Sequence, residues 1–221
     1  MKRIVGILSV VLALAVVTGC ASSPEKEAAR KRAAALDALT PLKTIPEKRP
    51  AWVDSVPITK TELAFVGLSD EKTASDQIAR NRAENDARLK LVHYYGTLMA
   101  DKGRTGRASY GLSSDVYDPQ YASQQLEEYL SEGIAKQLTA KEYYTEIYQS
   151  TDENYQFTYK VYALLPIEKK VAEDAIKEYL QNAADAYKAQ AAAEKDAERR
   201  QQLEKAADFF GGTLQTSMFN D

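Results

Sequence analysis

The stretch from Pro50 to Leu91, PAWVDSVPITKTELAFVGLSDEKTASDQIARNRAENDARLKL, reads as strand, turn and helix. Trp52 lies between Pro50 and Pro57, the apolar run from Leu63 to Leu68 holds Gly67, and a long helical pattern follows. Thr73 is the expected helix cap, with Asp76 three residues on as the return partner of a capping box. Asp76 with Arg80, Glu84 with Arg88 and Asp86 with Lys90 are acid-first pairs at i, i+4, which places Glu84 on a charged outer face. Ala79, Ala83, Ala87 and Leu91 form one apolar stripe; Ile78, Leu89, Val92 and Met99 form another. A stripe of alanines admits a close neighbour and a stripe of larger residues needs its own cover, so this helix is predicted to be covered on two sides.

Downstream, the segment from Asp101 to Gln120 holds three glycines and a proline without periodicity and is predicted to be a loop. Within it, Arg104 and Arg107 of Gly-Arg-Thr-Gly-Arg are candidate anion contacts. Helical spacing returns from Tyr121 to Leu138, with Ala122, Leu126, Leu130, Ile134 and Leu138 on one stripe. Lys141 to Gln149 and Tyr155 to Leu165 are rich in Tyr, Thr, Ile and Val and form a predicted hairpin. In its second strand Tyr155, Phe157, Tyr159, Val161 and Ala163 make the buried face. Some hairpin tyrosines then face outward, which makes Tyr144, Tyr148 and Tyr162 candidate partner contacts. Pro166 is expected to open one long helix, from Ile167 to about Phe210, ended by Gly211-Gly212. Its first half can dock on the domain. From Ala189 to Lys205 the only large apolar residue is Leu203, so residues 189–221 are expected to be a projecting arm and loose tail, with Phe209 and Phe210 as candidate partner anchors.

At the amino terminus, Met1-Lys2-Arg3 followed by the apolar run Ile4 to Val17 has the form of a signal peptide covering residues 1–19. It ends in Val17-Thr18-Gly19-Cys20, the order of a bacterial lipobox, whose cysteine becomes the acylated first residue. Cys20 is the only cysteine, so no disulfide within the chain can form and an exported protein must rely on its core. Ala21 after Cys20, where an Asp is absent, resembles the enterobacterial sorting signal for the outer membrane. Residues 20–50 read as a lipidated tether in which Glu25 to Leu39 has the composition of a short helix and Pro41, Pro46 and Pro50 prevent further regular structure; the seven basic and four acidic side chains between Glu25 and Pro50 read first as a solvated spacer and second as a contact for anionic head groups.

The 221 residues, 44% hydrophobic and 28% charged, allow one ordinary core with extensions. The net charge of -3 disfavours a general nucleic-acid binder. His93 is the only histidine, and no His/Cys metal set, nucleophile elbow or Rossmann glycine pattern is present, so no catalytic residue, metal or cofactor is expected. The predicted fold is α+β: strand, helix, helix, hairpin and long helix, with a small three-stranded, mainly antiparallel sheet over residues 51–188.

Pro-Ala-Trp-Val at Pro50, Phe65-Val66-Gly67-Leu68-Ser69, and the run Ala79-Arg80, Arg82-Ala83, Ala87-Arg88 and Leu91 resemble the Lpp-twenty family of bacterial lipoproteins and the related FlgT-type amino-terminal domain of flagellar proteins. The resemblance covers roughly residues 50–165. It implies a small α+β domain on an outer-membrane lipoprotein, flagellum-associated in some members, and carries no catalytic residue. The expected function is non-enzymatic: a structural, envelope-organising or flagellum-associated assembly role through contacts with envelope proteins or with itself, on a bilayer anchor at Cys20, facing the periplasm or the cell surface. The alternative is a periplasmic module that binds a cell-wall glycan or small ligand through the tyrosine-rich sheet face and the Asp101 to Gln120 loop.

Overall fold

Helix α1, Asp76–Tyr110, spans 35 residues and is the longest element among the described residues. The computed structural model describes residues 40–69, 72–150 and 154–219, and from Pro41 onward they belong to one unit, Pro41–Asp221. The signal peptide, residues 20–39 of the tether with Cys20, and the terminal Asn220 and Asp221 lie outside the described residues.

All three acid-first pairs of α1 form, at 2.8 Å for Asp76–Arg80, 3.0 Å for Glu84–Arg88 and 2.8 Å for Asp86–Lys90. The cap differs from expectation. Ser75 accepts the Ile78 amide, while Thr73 is drawn into a β-bridge with Tyr159 and donates its hydroxyl to the Ser75 carbonyl. The helix also runs past the glycines that were read as a loop and ends only at Gly111, whose φ of 62° is the left-handed conformation favoured at this position. Gly103 and Gly106 are there for space: a methyl on Gly103 would overlap the Tyr117 hydroxyl, and one on Gly106 the Phe209 ring. The loop shrinks to the few residues between Gly111 and Asp118.

The sheet has four strands, not three: β1 Lys43–Ile45, β2 Glu62–Leu68, β3 Glu142–Gln149 and β4 Phe157–Glu168, all antiparallel in the order β1-β3-β4-β2. The added strand β1 falls in the segment expected to be irregular tether. Three residues between Pro41 and Pro46 suffice at a sheet edge, where prolines outside the paired residues cost no ladder bond. The hairpin β3–β4 forms as expected, but β4 continues through Pro166 to Glu168, so the proline does not open a helix. It lies beyond the first residue of β3 and faces only β2.

One face of the sheet lies against α1. Ala79, Ala83, Ala87 and Leu91 are fully buried there, and Gly67 of β2 is pressed against the backbone at Ala83 and Ala87. The second predicted stripe holds only in part, since Val92 and Met99 are buried but Ile78 and Leu89 are about half exposed. Lys90 and Asp86 also reach the open edge of β2, donating to the Val66 carbonyl at 2.9 Å and accepting the Leu68 amide at 2.8 Å. Side chains thus occupy part of an edge that would otherwise template a further strand.

Helix α2, Pro119–Glu132, crosses α1 where Ser123 donates to the Gly96 carbonyl at 2.7 Å. It ends before the predicted Leu138, and a short 3-10 turn follows. The expected continuous helix to Phe210 is two helices, α3 Lys169–Ala193 and α4 Ala197–Asp208. No Pro or Gly breaks them. The Glu194 carboxylate accepts the amides of Lys195 and Asp196, Asp196 caps α4 through the Arg199 amide at 2.8 Å, and Arg200 donates to the freed Glu194 carbonyl. Gly211-Gly212 does not stop the chain either: a π-helical stretch, Phe209–Leu214, carries it into α5, Gln215–Phe219. Residues 189–219 therefore fold back instead of projecting. Phe209, Phe210, Leu214 and Met218 join Leu91, Met99, Leu126, Ile176 and Leu180 in the main core.

Candidate functional site

Two regions gather tyrosines. The first is the sheet face away from α1, where Tyr144, Tyr148 and Tyr162 stand together as their alternation requires. It is not open. The segment after β1 crosses it, placing Trp52 against Tyr144 and Leu164 and the Arg49 guanidinium 5.3 Å and 5.1 Å from the ring centres of Tyr144 and Tyr162. Arg49 pairs with Glu146 and Asp54, both at 2.9 Å; Tyr148 donates to Glu146 at 2.8 Å, and Trp52 donates to Glu142 at 2.9 Å. Burial, then the Glu146 carboxylate, pushes the Tyr148 phenol up. Tyr144 and Tyr148 are buried, and Tyr162 is half-buried. The polar groups of this face are spent on one another.

The second region was not anticipated as a tyrosine site. It is a cleft of about 430 Å³ between the 114–118 turn, α2 and α3. Asp118 starts α2 by accepting the Gln120 amide at 2.9 Å, which sets Tyr121 on the first turn at the cleft mouth. Tyr179 and Tyr187 lie eight residues apart on α3, slightly more than two turns, and so share a face. Tyr179 donates to the Ala122 carbonyl at 3.2 Å and Tyr187 to the Val116 carbonyl at 3.0 Å, which ties α3 to the turn and to α2. Phe210 lies beneath, 5.3 Å from both Tyr117 and Tyr187. Burial pushes the phenols of Tyr117, Tyr179 and Tyr187 up, so they stay neutral at physiological pH, and those of Tyr179 and Tyr187 serve as hydrogen-bonding groups. Tyr121 is 60% exposed and is held by Gln125, whose amide donates to its hydroxyl at 3.1 Å.

The remaining candidates are dispersed. Phe209 and Phe210 are 1% and 2% exposed, interior residues and not surface anchors. Arg104 pairs with Asp101 one turn away, and Arg107 lies on the same helix, so neither stands in the predicted loop. His93 is exposed beside Glu127, its Nδ1 3.2 Å from the carboxylate. The clue to the cleft was the Tyr179/Tyr187 spacing, which reads equally well as a core stripe until the turn it faces is known. Comparison of the chain with protein-family models, with curated proteins and with solved structures gives no match.

Proposed function

We propose that this chain is a lipid-anchored, non-catalytic envelope protein whose folded part works as a binding module, with the cleft between α2 and α3 as its contact site. The observation that carries this reading is the cleft itself: a concave, hydroxyl-lined site of ligand size, built by three separate parts of the chain and left open at Tyr121. Its buried phenols suit recognition better than proton transfer, because burial moves Tyr117, Tyr179 and Tyr187 further from neutral pH. The lipobox at Cys20 and the Lpp-twenty resemblance supply the anchored, outer-membrane part of the proposal.

An assembly role through protein contacts is the second reading. The edge strand β1, with Ile45 47% exposed and Leu42 just before it 59% exposed, favours it as a place where another strand could add.

The test has two parts. Palmitate should label the wild type and not Cys20→Ser, and the full-length protein, extracted in mild detergent, should capture envelope material that is recovered chemically unchanged and lost with Tyr121→Ala. Equal labelling of the two chains overturns the anchor. Altered material, or capture indifferent to Tyr121, overturns the binding module.

A further inference from the structure

We infer that the α2–α3 cleft takes a neutral saccharide of one or two rings; the inference rests on the binding-module reading. Charge comes first. Among the described residues the charged groups lining the cleft are Asp115 and Asp118, so phosphates and carboxylates meet like charge. Arg199 lies 3.2 Å from Asp115, and Asp118 is engaged by the amide at the start of α2. One of the two charges is thus paired, and among the described residues the lining has no cation to draw an anion, so recognition falls to its neutral hydroxyl and amide groups.

Hydrogen-bond capacity comes next. Tyr179 and Tyr187 have spent their protons on carbonyls and face a ligand as acceptors, as do the two carboxylates. The Gln190 amide brings donors as well. An apolar guest would strip water from these groups without replacing it, and an amine would leave the amide donors unanswered. Sugar hydroxyls donate and accept, and the C–H face of a pyranose matches the exposed ring of Tyr121. The volume of about 430 Å³ holds one or two such rings.

The experiment titrates the full-length protein in detergent with cellobiose and the N-acetylglucosamine disaccharide, with butylamine and glycerol phosphate as charged controls, reading saturation-transfer NMR and calorimetry. The expected result is saturable binding of a neutral sugar, weakened about tenfold by Tyr121→Ala and changed by no more than about twofold in Tyr121→Phe, which keeps the ring. Thermal melts confirm that these exposed-site variants remain folded. Sugar binding indifferent to Tyr121→Ala, or a charged control binding where the sugars do not, overturns the inference. If no sugar binds yet envelope material is still captured through Tyr121, the saccharide assignment falls and the binding module stands. If nothing is captured, both fall.

Discussion

Phe209 occupies the space in which a side chain on Gly106 would sit, so a carboxy-terminal ring locks into a notch on the central helix. This contact sets two effects in opposition. Alanine raises helix propensity over glycine by about 1 kcal/mol, whereas overpacking a filled core costs about 1 to 3 kcal/mol. Because the obstructing ring is itself 1% exposed and wedged between Tyr110 and Tyr117, it has nowhere to go. Gly106→Ala should therefore lower the melting temperature. Gly212→Ala, where an added methyl meets nothing within 4 Å, should leave it unchanged or raise it. Equal effects of the two substitutions would show that the notch is not tight.

Ala83 and Glu84, neighbours in sequence, should both prove sensitive, for different reasons. Ala83→Leu pushes bulk into the seam against Gly67 and should cost about 1 to 3 kcal/mol. The charge pattern places Glu84 on a solvated face, yet its carboxylate accepts from the Ala140 amide at 3.3 Å, from the Tyr143 hydroxyl and from Arg88 at 3.0 Å. Donors meet both oxygens, so the amide of Glu84→Gln must turn its NH₂ toward one of them. A loss of about 1 to 3 kcal/mol in urea titrations is expected, well above the few tenths of an exposed helix pair.

Alkaline pH should unfold the protein through its tyrosines. Burial, then the Glu84 hydrogen bond, raises Tyr143 from 10.0 to about 12, and burial pushes Tyr95, Tyr117, Tyr148 and Tyr179 up as well. A phenol raised by folding contributes stability that is whole below its unfolded pKa and is lost as pH climbs through the folded value. Urea midpoints should therefore be flat up to about pH 10 and fall beyond it. Tyr143→Phe should soften that fall while lowering stability at neutral pH. A midpoint that already declines between pH 7 and 9 would point to another titrating group.

What could be read in advance was local or periodic. The three ion pairs of α1 need only i, i+4 spacing, and the alanine stripe needs only the helical period. The misreadings arose where one residue type serves two ends. Gly103 and Gly106 look like breakers in a sequence, but here they admit Tyr117 and Phe209, which only the tertiary fold reveals. The turn at Glu194–Asp196 uses acidic caps that resemble any exposed helix surface. Strand β1 owes its three residues to pairing with Glu146 and its neighbours, a partner about a hundred positions away. The same long-range closure hid the cleft, since Tyr121 and Tyr187 meet only after α3 returns along α2.

Removing residues 189–221 should then destroy the core, where a projecting arm would be dispensable. The missing part contains Leu203, Ala206, Ala207, Phe209, Phe210, Leu214 and Met218, all 5% exposed or less. Burying one large side chain contributes about 1.5 to 3 kcal/mol, so losing five of them removes about 7 to 15 kcal/mol, as much as the about 5 to 15 kcal/mol of net stability typical of a whole domain. A chain ended after Lys188 should lose its cooperative thermal transition. It should also lose the cleft, whose underside is Phe210. A milder variant separates the two effects. Asp196→Ala removes only the cap of α4 and should cost about 1 kcal/mol, leaving the fold and the cleft intact while raising hydrogen exchange across α4. A truncated chain that still melts cooperatively near the wild-type temperature would mean that the carboxy-terminal helices are an appendage after all.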